Sequence, residues 1–154
     1  MSDLELCYLP ATEAIAQFKA KTLSPVELLD ALIKRAEEVE PVINAFTYRH
    51  FDEAMDKAKK AEAKYASGKR TRALEGLPIG IKDENLIKGK PTSSGSLIMK
   101  DFVADRTSVG NERILRAGGI VHARTATPEF SSAGYTNSRL WGVTRNPWNP
   151  EFTP

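Results

Sequence analysis

The stretch from Leu77 to Ala123 constrains the fold more than any other part of the chain. Leu77-Pro78-Ile79-Gly80-Ile81-Lys82-Asp83 is a short apolar segment, punctuated by glycine and ending in charge. It reads as a buried strand that delivers Lys82 and Asp83 at its end. A loop rich in Gly, Ser and Thr follows, from Gly89 to Ser96. Thr107 to Ala117 fits a helix with Val109, Ile114 and Leu115 facing inward, and Gly118-Gly119 ends it. Ile120 to Ala123 reads as the next buried strand. Strand, loop, helix, strand is the pattern of a βαβ unit with a parallel pair, which predicts an α/β fold.

The residues before this unit read as helical. Thr12 is placed to cap a helix running to about Lys21, with Ala14, Ile15 and Phe18 on one face. Ser24, Pro25 and Glu27 form a capping-box start for a second helix. Its apolar stripe is Val26, Leu29, Ile33, Ala36 and Val39, and Pro41 is expected to end it. Asn44 to Tyr48 has strand character. A third helix runs from about Asp52 to Tyr65 and stops at Gly68. From Arg124 onward periodicity fades, and Gly134, Gly142, Pro147, Pro150 and Pro154 mark a tail that is mostly loop. Residues 1–73 are therefore expected to be mainly helical and 74–154 to begin the α/β core.

Composition narrows the functional classes. The chain has 154 residues, 41% hydrophobic and 27% charged, as an ordinary globular domain has. Lys57, Lys59, Lys60 and Lys64 cluster, but Glu53, Asp56 and Glu62 interleave with them, so a solvated helix face is expected rather than a nucleic-acid surface. Cys7 is the only cysteine, which excludes an internal disulfide and a thiolate metal site. His50 and His122 are isolated and have no metal-ligand spacing. No apolar run reaches the roughly 20 residues that span a bilayer, and no signal-peptide layout opens the chain. The expectation is a cytoplasmic protein with no cofactor, no metal, no nucleic acid and no membrane partner.

Lys82 is the candidate for chemistry. A lysine closing an apolar strand is partly desolvated, which disfavours the ammonium and suits it to act as a base near neutrality. The alternative is a surface turn in which Lys82 pairs with Asp83 or Glu84. Asp83 reads either as an orienting partner or as an exposed carboxylate. Ser93-Ser94-Gly95-Ser96 lacks the lysine of a phosphate loop and the Gly-x-Ser-x-Gly elbow, so it reads as a turn.

Five segments, in order, resemble the amidase-signature family. Leu74–Asp83 resembles the segment that carries its catalytic lysine, and Thr92–Ser96 its Thr/Gly/Ser turn. Leu115–Val121 resembles its helix-to-strand turn. Arg124–Phe130 resembles its Thr-x-x-Glu-Phe stretch, and Trp141–Trp148 its Gly-x-Thr-x-Asn-Pro turn. The resemblance implies the N-terminal part of the amidase-signature fold: helices, then a βαβ-type core of a mixed sheet. It implies hydrolysis of amide carbon–nitrogen bonds through an acyl-enzyme, by a Ser-cisSer-Lys triad. Only Lys82 carries over as a catalytic residue. The bridging serine of the family lies in a Gly-Ser-Ser-Gly-Gly loop just past the Asn-Pro turn, where this chain reaches Pro154; Ser131, Ser132 and Ser138 do not sit in that motif. Ala126 stands where the family often has asparagine and Arg124 where it often has lysine. Thr127-Pro128 resembles stand-alone amidases more than the glutaminyl-tRNA amidotransferase branch of the family. The implied substrate is a small amide. Self-association, or association with the rest of the fold, is the expected partnership. A non-catalytic interaction module, or an amidotransferase A-type subunit, is the other reading.

The resemblance also implies a geometry. Lys82 is expected at a strand end, mostly buried, with its amine toward an open cleft. Trp141–Pro154 is expected to be irregular and to pass near it.

Overall fold

The computed structural model describes all residues, Met1–Pro154. The elements in chain order are α1 (Asp3–Cys7), α2 (Ala11–Ala20), α3 (Pro25–Ile43), β1 (Phe46–Arg49), α4 (Phe51–Ala66), β2 (Pro78–Lys82), α5 (Val109–Arg116), β3 (Ile120–Thr125), β4 (Asn137–Ser138) and β5 (Gly142–Val143). Three strands form a sheet in the order β1-β3-β2. β1 runs antiparallel to β3, with a register shift between Phe46 and Tyr48. The pairing of β2 with β3 advances in the same sense on both strands, from Leu77 beside Ile120 to Asp83 beside Thr125, so the two are parallel. This is the expected βαβ unit in a mixed sheet. No helix is long and apolar enough to cross a membrane.

The chain divides into two compact units. One comprises Met1–Glu38, His50–Ile79 and Ile114–His122; the other comprises Val39–Arg49, Gly80–Arg113 and Ala123–Pro154.

The first unit is mainly helical. Leu6, Ala14, Phe18, Leu23, Leu28, Ala31 and Tyr65 bury one core cluster, and Leu29, Ala54, Ala58 and Ile120 a second. The small residues of α4 sit at helical spacing, so the helix packs closely through them while its lysines face water. Lys57 pairs with Glu53 and Lys59 with Asp56, as the interleaved acids imply. At the start of α3, Glu27 reaches back to the Ser24 N–H (2.8 Å), while the Ser24 hydroxyl accepts from Val26 (2.9 Å) and donates to Glu62. Two features depart from the sequence reading. Thr12 caps nothing, because α2 begins earlier, behind Pro10, and stops where Lys21 turns left-handed (φ 62°). The short helix α1, closed by a Ser2–Glu5 capping box, is an additional element.

The second unit holds the end of α3, β1, the ends of β2 and β3, and the loops beyond them. Pro41 does not end α3, which continues to Ile43. The stop comes at Asn44, whose φ of 53° is left-handed. The Glu40 carboxylate then accepts from the N–H groups of Ala45 (3.0 Å) and Phe46 (2.9 Å). Val109, expected to face inward, is exposed, and its neighbour Asn111 is buried instead, donating to the Leu86 carbonyl (3.0 Å). The tail from Ala126 is irregular apart from a turn at Glu129–Ser131 and the two-residue hairpin β4-β5.

Candidate functional site

Lys82 closes β2, as expected, but its side chain is 42% exposed rather than mostly buried. The period of a strand explains this. Ile81 points into the core, so the next residue points to the other face. The Lys82 amine lies 3.4 Å from Glu84 Oε1 and 3.4 Å from Ser131 Oγ. Ser131 Oγ donates to Glu84 Oε2 and lies 2.9 Å from Thr127 Oγ1. Four side chains thus meet at one point, 49 positions separating Lys82 from Ser131. The backbone is unusual where the serine is delivered: Phe130 and Ser131 are both left-handed, at φ 49° and 53°. Two consecutive non-glycine residues in that region cost on the order of 1–2 kcal/mol each, held by the turn Pro128–Ser132. A hollow of about 280 Å³ opens beside the turn, lined by Pro128, Glu129, Ser132, Tyr135, Asn137 and Arg139 among others.

Asp83 points the opposite way and is wholly buried, which corrects the reading of it as an exposed carboxylate. It accepts from the Ser93 backbone N–H (3.1 Å) and from the Ser93 hydroxyl. Ser93 Oγ in turn accepts from Trp141 Nε1 (2.8 Å) and the Gly95 N–H (3.2 Å). Burial pushes the Asp83 carboxyl above its ordinary range, and the Ser93 hydrogen bonds and the Arg124 charge offset only part of that.

Arg124 is the second fully buried charge. Its guanidinium lies 3.9 Å from Asp83 Oδ1 and donates to four carbonyls: Ile81 (3.2 Å), Lys82 (3.2 Å), Asn85 (2.7 Å) and Pro91 (3.3 Å). Burial lowers its pKa, and Asp83 raises it again in part. The fork therefore clamps the backbone on both sides of the lysine. Nearby, Ser96 Oγ donates to Glu129 Oε1 (2.6 Å). Gly95 makes this packing possible: at φ +67° a Cβ there would lie 2.6 Å from the Thr127 carbonyl oxygen.

Sequence reasoning places Lys82 at its strand end and sets aside Ser132 and Ser138, which here bond to the Glu129 carbonyl and the Trp141 N–H in local turns. Trp141, at the head of the segment expected to pass near Lys82, reaches Ser93 and through it Asp83, on the face opposite the lysine side chain. The Ser93–Ser96 run, read as a turn, is a turn whose two outer serines are fully buried in polar contacts. Sequence reasoning misses Thr127 and Ser131 as neighbours of the lysine, and Arg124 as the clamp. Only the positional match of Arg124 to a family lysine hints that a cation belongs there. The pairing of Lys82 with Glu84, which the surface-turn alternative named, is present together with the strand end.

The model of the family described as Amidase matches residues 27–154. The acylamidase of Rhodococcus erythropolis is 34% identical over 148 residues, which cover 96% of this chain and 31% of that protein. The A-type subunit of the glutamyl-tRNA(Gln) amidotransferase of Gloeothece citriformis is 35% identical over 138 residues, 90% of this chain and 29% of that protein. Among solved structures, a bacterial aryl acylamidase of the amidase-signature enzymes superposes with a TM-score of 0.88 at 28% identity, over 94% of this chain and 30% of its own. This chain thus spans about 30% of the length of the relatives it matches.

Proposed function

The chain belongs to the amidase family, and from that premise we propose that the protein containing it hydrolyses the carbon–nitrogen bond of a small amide, with Lys82 as the base. The observation that carries the reading is the strand end itself. Lys82 leaves β2 with its backbone clamped by Arg124 and its amine turned away from the core, against Glu84 and Ser131. A base must present its nitrogen at a fixed place. Here the fixing is done by four carbonyls bound to one buried guanidinium.

In the Ser-cisSer-Lys scheme the lysine takes a proton through a bridging serine so that a second serine attacks the amide carbonyl. Neither serine has a counterpart at its motif within residues 1–154. Ser131, although near the amine, donates to Glu84 and sits outside the motif. The 154-residue chain alone is therefore expected to show no amide hydrolysis, since triad members act as a unit. Exposed apolar side chains such as Ile98, Trp148 and Phe152 support self-association, or association with the remainder of the fold. Sedimentation of a compact monomer would count against that.

The relation to an amidotransferase favours a second reading, in which the same chemistry releases ammonia for a partner protein. Pro128 before Glu129-Phe130 weighs toward a stand-alone amidase. The test is amide turnover by the protein read through beyond residue 154. Simple aryl amides are expected to be cleaved without partner proteins, and Lys82→Ala is expected to abolish the activity. Turnover that survives Lys82→Ala would place the chemistry elsewhere.

A further inference from the structure

We infer that the helical unit carries a ligand site of its own, a hollow beside α4 that takes a small molecule bearing a di- or triphosphate. The hollow measures about 480 Å³, inside the range of roughly 300–1,000 Å³ for small-molecule sites. One wall is a single stripe of α4, on which Lys57, Lys60 and Lys64 follow at three- and four-residue steps and so share a face. Arg72 and Glu75, from the turn after that helix, and the Gly118-Gly119 turn add the rest. Gly118 lets the two turns meet, since a Cβ there would lie 2.8 Å from Glu75 Cα. Four cations thus line the hollow against one carboxylate, three positive charges in excess.

The carboxylate serves as an internal anchor. Glu75 is buried and both its oxygens are taken: Oε1 by Arg72 Nη2, Oε2 by Lys64, Arg72 Nε and the Arg72 backbone N–H. It therefore fixes two cations before a ligand arrives, which lowers the cost of ordering them. Both keep donors to spare, because a guanidinium has five N–H groups and an ammonium three. The acids interleaved along α4 do not neutralise the stripe. Glu53 holds Lys57 in an exposed pair, which a ligand replaces at little cost. Asp56 pairs with Lys59, which does not line the hollow, and Glu62 accepts from Ser24. Lys60 has no carboxylate of its own. With Glu75 saturated, the charged lining offers donors only, so the ligand must bring acceptors and negative charge. Phosphate brings both, and its oxygens point in several directions, as suits donors arriving from a helix and from a turn. One phosphate leaves charge unmatched; a di- or triphosphate matches it.

The test is isothermal titration calorimetry of the protein read through beyond residue 154, with sodium tripolyphosphate as the probe and ionic strength held constant. Saturable one-to-one binding is expected. Lys60→Gln removes an exposed charge from the hollow and is expected to weaken binding roughly tenfold, the worth of one charge-assisted contact. Lys57→Gln added to it is expected to bring the loss to roughly a hundredfold. Lys59→Gln removes the same charge from the same helix just outside the hollow, and is expected to weaken binding less than about twofold, as a screened surface charge does. Citrate, of similar charge but with planar carboxylates, is expected to bind roughly tenfold more weakly than tripolyphosphate. Absence of saturable binding overturns the site. So does a Lys60→Gln protein that loses no more affinity than Lys59→Gln, which would reduce the effect to general charge attraction. Citrate binding as tightly as tripolyphosphate overturns the phosphate assignment. No amide turnover is read, so these outcomes stand apart from the fate of Lys82→Ala in the amidase assay.

Discussion

Two buried carboxylates in this chain are held under opposite pressures. Glu75, in the helical unit, is 4% exposed, yet its pKa is held down at about 2. Arg72 donates to it through Nε (2.8 Å), Nη2 (2.7 Å) and its backbone N–H, and Lys64 adds a contact of 2.6 Å. Those cations keep much of their surface in water, Arg72 being half exposed, so they lose little solvation on pairing. Asp83, in the unit that carries Lys82, is held by neutral donors, Ser93 first, and its nearest cation is as dry as it is and already bound to carbonyls. Its pKa rises. Burial alone therefore does not decide the charge of a carboxylate; the solvation left to its partner does. The helical unit is tied by charge, and the strand end by hydrogen-bonded backbone.

The largest expected effect breaks the second arrangement. Arg124→Met takes the guanidinium away from four carbonyls and the nearest cation away from one buried carboxylate, and is expected to cost about 3–5 kcal/mol in urea denaturation. Lysine, with three donors on one point, cannot restore four separated contacts, so Arg124→Lys is expected to recover only part. A loss under about 1 kcal/mol would mean that the clamp is not what holds the site. The next test uses two glycines of similar φ. Gly68, at +69°, has open space where a Cβ would go; Gly95, at +67°, meets the Thr127 oxygen. Gly68→Ala is expected to cost about 1 kcal/mol and Gly95→Ala about 2–3 kcal/mol, the difference being packing rather than φ.

The pH dependence sharpens the same comparison. Glu75 is depressed from 4.5 to about 2, so its stabilisation is present above pH 4.5 and is lost as pH falls toward 2. With solvent screening at Arg72 this amounts to on the order of 2 kcal/mol, and Glu75→Gln removes it. Asp83 has the opposite sign. Its folded pKa is raised, so its ionisation opposes folding as pH rises through that value. Melts from about pH 2 to about pH 6 should therefore flatten on the acid side in Glu75→Gln and steepen in Asp83→Asn. Parallel shifts in both variants would contradict the contrast.

How far this is legible in the sequence follows from the same physics. Apolar runs and glycines are local signals, so β2, α5, β3 and the Gly118-Gly119 turn can be read from the residues alone. The burial of Asp83, Ser93, Ser96 and Arg124 cannot. Pattern reading places polar side chains in water, and their burial is made tolerable only by partners far off in sequence, such as Ser96 with Glu129. Pro41 is a smaller case of the same kind: Glu40 caps the chain beyond it, so the helix outruns a residue that would by itself stop it. Lys82 can be placed at its strand end because an apolar run leads up to it, while its neighbours Thr127 and Ser131 depend on a left-handed turn that no composition signals.

The smallest expected effect tests how far the strand-end network extends. Trp141 donates from Nε1 to Ser93 Oγ and rests edge-on against Tyr48, with ring centroids 5.1 Å apart at 79°. Trp141→Phe removes the donor and keeps an aromatic edge. Ser93 Oγ is then left with the Gly95 N–H as its donor and Asp83 as its acceptor, so no buried group is orphaned. The cost should accordingly fall to about 0.5–1.5 kcal/mol, the net value of one hydrogen bond, well short of Arg124→Met. Since Trp148 is 92% exposed, Trp148→Phe leaves Trp141 as the sole indole and makes its fluorescence a probe of this corner. If the network is one cooperative unit, that signal and circular dichroism change together on denaturation. A loss in Trp141→Phe as large as in Arg124→Met would instead make the indole, and not the guanidinium, the group on which the strand end depends.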